Sequence, residues 1–536
     1  MYPYTEEQLN IINSNSENIK AVNAFSGTGK TSTSVAYALQ RKNKSIKVIS
    51  YNKSLQLETQ EKFKQQNCTN ATVQTSHSMA WGYGVRYKHR LGNLRVHDII
   101  DIVDKANKNK DYSTAYDILN DLQEYMSSDK PNIDSFYQLK EKSGKINSAR
   151  SDGLEKVWKE ISNVYGKSPV PHDFYLKLYA LSNPKIKEDI IILDENQDVT
   201  PLLFDLVSKQ THAQLLFIGD KHQSIYRYRG AVNAMEDALL KADSIYPLTK
   251  SFRFGQPVAN YANVLLRTFK GESLNITGTS DSLNHIDYDK PYTVLGRTNS
   301  GLLKYALAVS QNKNYYEFMG NVNDYRIGQL ESAYHLYKGS KTNIKDPFIK
   351  RFSSWQDLVS TAKELEDVEL QTLVTMINEW KDSTLYNINT IKANAVDRTK
   401  TPNITPIITF TTGHKSKGLE FKQVLLNTDF SISVKEFIKI ITTIMYALPS
   451  TSAKNDEEII KFVKNYVGVH KFNSFLDEIN LLYVAITRSQ QALSLPPDVA
   501  WLISYMNQCH NKPVLPSGWT EKDVKHFCKS IGHNIE

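Results

Sequence analysis

The stretch that most constrains this chain is "IKAVNAFSGTGKTS", Ile19 to Ser32. A mainly apolar run, Ile19–Ala24, gives way to the small residues Ser26, Gly27, Thr28 and Gly29. Lys30, Thr31 and a helical pattern through Lys42 follow. A buried strand, a tight turn and a helix in that order belong to a parallel sheet covered by crossover helices. The N–H groups of such a turn point at whatever sits before the helix, and that place favours an anion. Lys30 adds a point charge suited to β- and γ-phosphates, and the Thr31 hydroxyl can ligate Mg²⁺. Ala24 stands where the usual pattern has its first glycine. A Gly/Ser turn ahead of an unrelated helix would look similar, but Gly-Lys-Thr after an apolar strand favours a phosphate cradle. ATP and Mg²⁺ are the expected ligands, held by Ser26–Ser32.

Further runs read as buried parallel strands: Lys47–Asn52, Thr72–Ser76, Ile190–Asp194, Gln214–Gly219, Thr293–Arg297, Pro406–Thr411 and Gln423–Asn427. Helical patterns such as Lys53–Gln66 fall between them, so the chain reads as α/β with at least two sheets. Two long polar stretches break the rhythm. One carries "AYDILNDLQEYM" and "LEKVWKEISNVY", the other "SWQDLVSTAKELEDVELQTLVTMINEW", and both read as helical insertions.

With 536 residues the chain exceeds one hydrophobic core. Its 40% hydrophobic and 23% charged residues are those of an ordinary globular protein. No apolar run approaches the ~18–20 residues of a membrane span, and "MYPYTEEQLN" does not resemble a secretory signal. A soluble, cytoplasmic protein without membrane contacts is the expectation. Three cysteines are too few for a disulfide framework. Cys509, His510, His526 and Cys528 match no common zinc-finger spacing and read as residues of a last helical segment. Lys plus Arg exceed Asp plus Glu by 65 − 57 = 8, which permits a polyanionic partner without requiring one.

The second half of a nucleotide site is "IIILDENQD", where an apolar strand delivers Asp194 and Glu195 at its end. Asp194 can hold Mg²⁺, and Glu195 can orient and deprotonate a water. An Asp-Glu pair is more often a solvated turn; the apolar run before it argues for a sheet edge instead. "FIGDKHQSIYRYRGA" follows the next strand and places Gln223 near the nucleotide, then Tyr226 and Tyr228 among Arg227 and Arg229. Aromatics interleaved with cations suit stacking on unpaired bases, although an isolated Tyr/Arg run is more often a packed surface.

Eleven motifs now stand in one order: "YTEEQ", "AFSGTGKT", "SYNKS", "TSHSMAW", "PHDFYLKLY", "ILDENQD", "GDKHQSIYRYRGA", "LTKSFRF", "VLGRTN", "TGHKSKGLEF" and "NLLYVAITRS". Spanning residues 4 to 489, this order resembles that of the UvrD/Rep-type superfamily 1 DNA helicases, and in particular their F-box DNA helicase branch, here with no F-box expected ahead of the motor. The resemblance implies two RecA-like P-loop domains, each with a mainly helical insertion. The implied boundaries are 1–81 and 186–245 for the first domain with its insertion at 82–185. The second domain takes 246–304 and 403–500, with a reduced insertion at 305–402, and 501–536 is a tail.

The resemblance also implies roles. Gln8 would read the adenine and Glu420 would lie near the ribose. Gln223 would sense the γ-phosphate, and Arg253 and Arg488 would reach it from the second sheet, Arg488 as an arginine finger. Asn52, Thr75, His77, Tyr226, Tyr228, Arg229, His414 and Lys415 would line the DNA track. His77 also fits a hydrogen-bonded core histidine, and Tyr228 stands where the family usually has Trp or Phe. The implied activity is ATP-driven 3′ to 5′ movement on single-stranded DNA, with strand separation at single-strand/duplex junctions. Loss of the γ-phosphate between the two sheets would drive each step. The short second insertion keeps open a translocase that remodels protein–DNA complexes or powers a protein partner without unwinding alone. RNA as the track, and a nucleic-acid-binding subunit with a dead motor, are weaker alternatives.

Overall fold

The structure is a computed structural model describing residues 4–15, 17–103, 112–141, 148–225, 233–280, 283, 285–312, 315–364, 368–397, 406–430 and 469–508. It divides into two units, Met1–Lys250 and Ser251–Glu536. Both are of mixed α/β type, with parallel sheets flanked by helices.

Six strands build the sheet of the first unit: β1 (Ile19–Ala24), β2 (Ile46–Ser50), β3 (Ala71–Thr75), β4 (Ile190–Leu193), β5 (Gln214–Gly219) and β6 (Ser244–Leu248). Their order is β3-β2-β4-β5-β1-β6, and every pair is parallel. In register, Ile192 faces Val48 on one side and Leu216 on the other, while Val22 faces Ile218. Because strand side chains alternate between faces, Val22, Val48, Ile192, Leu216 and Ile218 enter one core. Ala21, Ile49, Ile191, Leu193, Leu215 and Phe217 enter the other. The helix Lys30–Leu39 covers the first face with Val35, Tyr37 and Ala38, and Pro201–Ser208 covers the second with Leu203, Phe204 and Val207. Each such buried side chain contributes roughly 2 kcal/mol, more than any local propensity, so the apolar runs dictate the sheet. All strands being parallel, Ala24, Ser50, Thr75, Leu193 and Gly219 end at one edge.

The strand readings hold, with ends moved by one or two residues. The strand β6 is absent from them because "SIYPL" contains Pro247. Among the described residues it pairs with β1 alone, and such an edge position tolerates the missing N–H.

The helical stretch after β3 has its own core of Tyr87, Ile99, Ile118, Leu122, Tyr125, Leu154, Val157 and Phe174. It also contains a buried carboxylate. Asp121 accepts from the Tyr137 hydroxyl at 2.9 Å and from Arg150 Nη2 at 2.9 Å, and it pairs with Lys140.

The second unit opens in sequence on a two-stranded ribbon, β7 (Lys250–Gly255) with β8 (Thr277–Ser280). Its sheet strands are β9 (Tyr292–Gly296), β10 (Tyr316–Phe318), β11 (Ile408–Thr412), β12 (Phe421–Leu426) and β13 (Ser489–Ser494). Their order is β10-β11-β9-β12-β13, parallel throughout. Helices Ile327–Tyr337, Val368–Trp380 and Thr384–Asn394 follow β10. Unlike the helical stretch of the first unit, they share one core with the sheet, where Leu330, Ile377 and Ile388 join Val294 and Phe410. Among the described residues no helix is long and apolar enough to cross a membrane.

Asp121 sets a test of the helical stretch. Removing a buried carboxylate strands the cations around it, so Asp121→Ala should lower the unfolding free energy by about 3 kcal/mol. Asp117, which pairs with the same Arg150 but is 43% exposed, should cost less than about 1 kcal/mol when replaced by alanine. Denaturant midpoints of the two variants check this, and equal losses would refute the buried-pair account.

Candidate active site

The cradle is built where β1 ends. Gly27 and Gly29 hold φ of 74° and 83°, the left-handed region that a side chain disfavours. Gly29 is the N-cap of the helix Lys30–Leu39 and brings no side-chain cap, so the helix N–H groups keep their anion-binding direction. Thr28 folds back to donate to the Phe25 carbonyl at 2.8 Å, which closes the turn. Thr31 is half-buried and Ser32 exposed. Just before the turn, the buried side-chain oxygen of Asn23 has no hydrogen-bond partner among the described residues. These features fit a nucleotide triphosphate.

The acids arrive from β4. Glu195 takes φ 52°, ψ 45°, a left-handed conformation costing a non-glycine residue about 1 kcal/mol. That turn places its carboxylate 3.1 Å from Lys30 Nζ. Asp194, directly before it, accepts from the Glu195 N–H at 3.0 Å. Burial pushes the Asp194 carboxyl up to about 6, and the neighbouring Glu195 carboxylate adds to the rise. Burial works against the Lys30 ammonium, but Glu195, Asp220 and Asp194 outweigh it and hold its pKa above the usual lysine value. Gln223, which follows β5, donates to Asp220 at 2.7 Å. Lys30, Asp194, Glu195 and Gln223 thus gather at one sheet edge. Thr31 and Asp194 are the residues that would hold Mg²⁺.

Gln8 reaches the same helix from the N-terminal helix Glu6–Asn13. It forms a capping box with Thr5 and donates to Thr33 Oγ1 at 3.1 Å. Arg41 ties that helix down by donating to the Ile12 and Tyr37 carbonyls, each at 2.9 Å. The amide of Gln8 is therefore fixed in direction by Thr5 and Thr33.

Of the residues read as a DNA track, Asn52 lies two residues past the end of β2 and Thr75 is the last residue of β3, which pairs with it. Both are helix N-caps: Asn52 accepts from Leu55 N at 2.9 Å and Thr75 from Ser78 N at 3.2 Å. His77 is no core residue: it is 35% exposed and sits 2.9 Å from Asp173, with Tyr175 packed edge-on to its ring. Tyr226, Tyr228 and Arg229 lie outside the described residues, as do Cys509, His510, His526 and Cys528.

In the second unit, Arg253 and Glu420 form an ion pair at 2.8 Å, and Gln490 donates to the same carboxylate. Arg253 also donates to the Thr487 carbonyl at 3.2 Å. Arg488 is 1% exposed, not the solvated helix end such a position usually gives. Its guanidinium donates to the carbonyls of Val484 at 2.9 Å and Leu419 at 3.1 Å. Arg253, Glu420 and Arg488 are thereby brought together around Thr487. His414 and Lys415 follow β11. Lys415 rests 3.7 Å above the Tyr325 ring and donates to the Asp324 carbonyl at 3.2 Å.

Sequence reasoning passed over Asp220 and Gln197. Asp220 is fully buried between Gln223 and Gln197. Both lie inside motifs already quoted, but their contacts depend on two strand ends, β4 and β5, being neighbours.

A glycine-turned phosphate loop at the end of an interior parallel strand, faced by a buried Asp194 and a half-buried Glu195, defines the first unit as a P-loop nucleotide-binding fold. Residues 4–241 match the family model of the UvrD/REP helicase N-terminal domain. Over 558 aligned residues the chain is 28% identical to the F-box DNA helicase protein 1 of Schizosaccharomyces pombe, covering 94% of this chain and 58% of that protein. It is 26% identical to the F-box DNA helicase 1 of Gallus gallus, over 93% of this chain and 50% of that one. An 89-residue stretch is 32% identical to a probable DNA helicase II homolog of Mycoplasma pneumoniae, covering 15% of this chain and 12% of that protein. The first unit thus resembles the N-terminal domain of UvrD/REP helicases, and the chain as a whole is similar to the F-box DNA helicases, of whose length it spans 58% and 50%.

Asp194 sets a pH test. Its folded carboxyl titrates above its ordinary value of 3.8. Between about pH 4 and 6 the folded chain holds the extra proton, so stability falls as pH rises through that window. Metal-free Asp194→Asn should therefore be more stable than wild type at about pH 8, by roughly 1–2 kcal/mol, with the gain gone below about pH 4. Denaturant titrations at both ends check it; an equal gain at both would remove the buried charge as its cause.

Proposed function

We propose that this chain is an ATP-driven DNA helicase motor that moves 3′ to 5′ along single-stranded DNA and separates strands at single-strand/duplex junctions. The observation carrying the reading is the Lys30–Glu195 contact, in which a phosphate-loop lysine and a strand-end carboxylate meet at 3.1 Å on one sheet edge. The eleven-motif order and the DNA-helicase names of the similar proteins support the choice of reaction and track.

Bound Mg²⁺ supplies charge neutralisation on the phosphate oxygens. In this reading Lys30 and the N–H groups after Gly29 hold the phosphates. Glu195 orients the attacking water and takes its proton. Gln223 reports whether the terminal phosphate is present, and Arg253 and Arg488 meet the charge that develops on it. Gln8 meets the adenine edge with its fixed amide, and Glu420 lies on the ribose side. Asn52, Thr75, His77, His414 and Lys415 grip the DNA backbone, while Tyr226 and Tyr228 beside Arg229 stack on bases.

Steady-state hydrolysis with and without single-stranded DNA tests the motor, with single-stranded RNA and Lys30→Ala beside it. DNA should stimulate the rate at least about tenfold, and Lys30→Ala should lower kcat by about 100-fold or more. A 3′-tailed duplex should be opened and a 5′-tailed one left intact. Stimulation without strand separation would replace this reading with a translocase that remodels protein–DNA complexes or drives a partner. No stimulation by any nucleic acid would sink an autonomous motor.

A further inference from the structure

We infer that Gln197 is a positioning residue that sets the Glu195 carboxylate and links it, through Asp220, to Gln223. The inference rests on the nucleotide reading above and adds a residue that never touches the nucleotide in that reading.

The link is a chain of hydrogen bonds, buried from Gln197 to Gln223 and ending on the half-buried Glu195 carboxylate. Gln197 Nε2 donates to Glu195 Oε2 at 2.6 Å. Gln197 Oε1 accepts from the Asp220 N–H at 3.0 Å. Asp220 Oδ2 in turn accepts from Gln223 Nε2 at 2.7 Å, and Oδ1 accepts from the His222 N–H at 3.0 Å. Gln197 and Asp220 are 0% exposed and Gln223 is 5% exposed. The direction of the Gln197 amide follows from its partners: a carboxylate only accepts, and a backbone N–H only donates.

Two further observations show that the chain fits without slack. A Cβ on Gly219 would meet Gln197 Oε1 at 2.5 Å and the Asn196 and Gln197 nitrogens at 3.1 and 3.2 Å. The strand end of β5 must therefore be glycine for the Gln197 amide to lie across it. On the far side, the His222 ring stacks on Phe25 of the phosphate turn, 6.0 Å between centroids and 9° from parallel. The turn that carries Gln223 is thereby tied to both the cradle and Gln197.

The chemistry gives Gln197 its importance. Glu195 is held by Lys30 and by Gln197. When Lys30 turns to a phosphate, Gln197 stays, and the carboxylate keeps its direction toward the attacking water. A shift of Gln223 on loss of the terminal phosphate moves Asp220, and the amide transmits that shift to Glu195. In a water-poor site such short bonds reinforce one another.

Gln197→Met keeps the volume and removes both ends of the amide; Gln197→Glu keeps the acceptor toward Asp220 and loses the donor toward Glu195. Both should lower kcat for DNA-stimulated ATP hydrolysis about 30-fold or more while KM for ATP stays within about twofold. The affinity for a fluorescent ATP analogue and the thermal midpoint identify any variant that has merely failed to fold; the second variant then decides. In a double-mutant cycle with Gln223→Ala, the double variant should be no more than about threefold slower than the slower single one. Multiplying losses, or a Gln197→Met enzyme within twofold of wild type while Glu195→Gln is inactive, would overturn the link and leave the nucleotide reading standing. A wild-type chain without hydrolysis, or an active Glu195→Gln, would overturn both.

Discussion

Everything in the first unit converges on a lysine and a glutamate that the sheet holds 3.1 Å apart. Neither could be there alone. A buried ammonium or carboxylate without a partner costs several kcal/mol in lost hydration, and here each supplies the other's counter-charge. The pair requires β1 and β4 to end at the same edge with β5 between them, and that order follows from two apolar faces being covered at once. The hydrophobic effect thus sets the distance between charges: the core fixes the strand ends, and the strand ends fix Lys30 and Glu195.

The arrangement is not the most stable one the chain could adopt. Glu195 sits in a left-handed conformation, and Asp194 is pushed up to about 6 by burial and by its acidic neighbour. When ionised, the three carboxylates of Asp194, Glu195 and Asp220 around one ammonium leave two negative charges, which a divalent cation would neutralise. The strain is local. It is surrounded by Ile191, Ile192, Leu193 and Phe217, all essentially inaccessible, so the rest of the sheet absorbs it.

The sequence made the strands legible where burial was two-sided, because continuous β-branched runs such as Ile190–Leu193 have no other stable home. It made the site legible where chemistry is local, as in the Gly-Lys-Thr turn and the Asp-Glu pair. It was less informative at edges. The strand β6 contains a proline, and β13, "SQQALS", is polar at four of its six positions, so neither has a pattern that distinguishes it from loop. Non-local contacts were out of reach for a different reason. Nothing near Gln197 in the chain announces Asp220, which is 23 residues away, or that Glu420 would pair with Arg253 167 residues before it. Sequence spacing also could not tell that Asn52 and Thr75 cap helices, a role that fixes each side chain whether or not a phosphate is near.

The second unit places its cations by a different rule. Arg488 is held mainly through carbonyls: the described contacts of its guanidinium run to Val484, Leu419 and the Thr487 hydroxyl, at the point where its helix hands over to β13. A guanidinium suits that place because its planar donors match carbonyls arranged around it and its charge cannot be removed by burial. A lysine there would have one nitrogen for the same carbonyls and would tend to lose its proton instead. Arg253, from β7, reaches the same Thr487 and is balanced by Glu420. Among the described contacts, then, Arg488 is oriented by neutral carbonyls and a hydroxyl, whereas Arg253 combines one carbonyl with a carboxylate counter-charge.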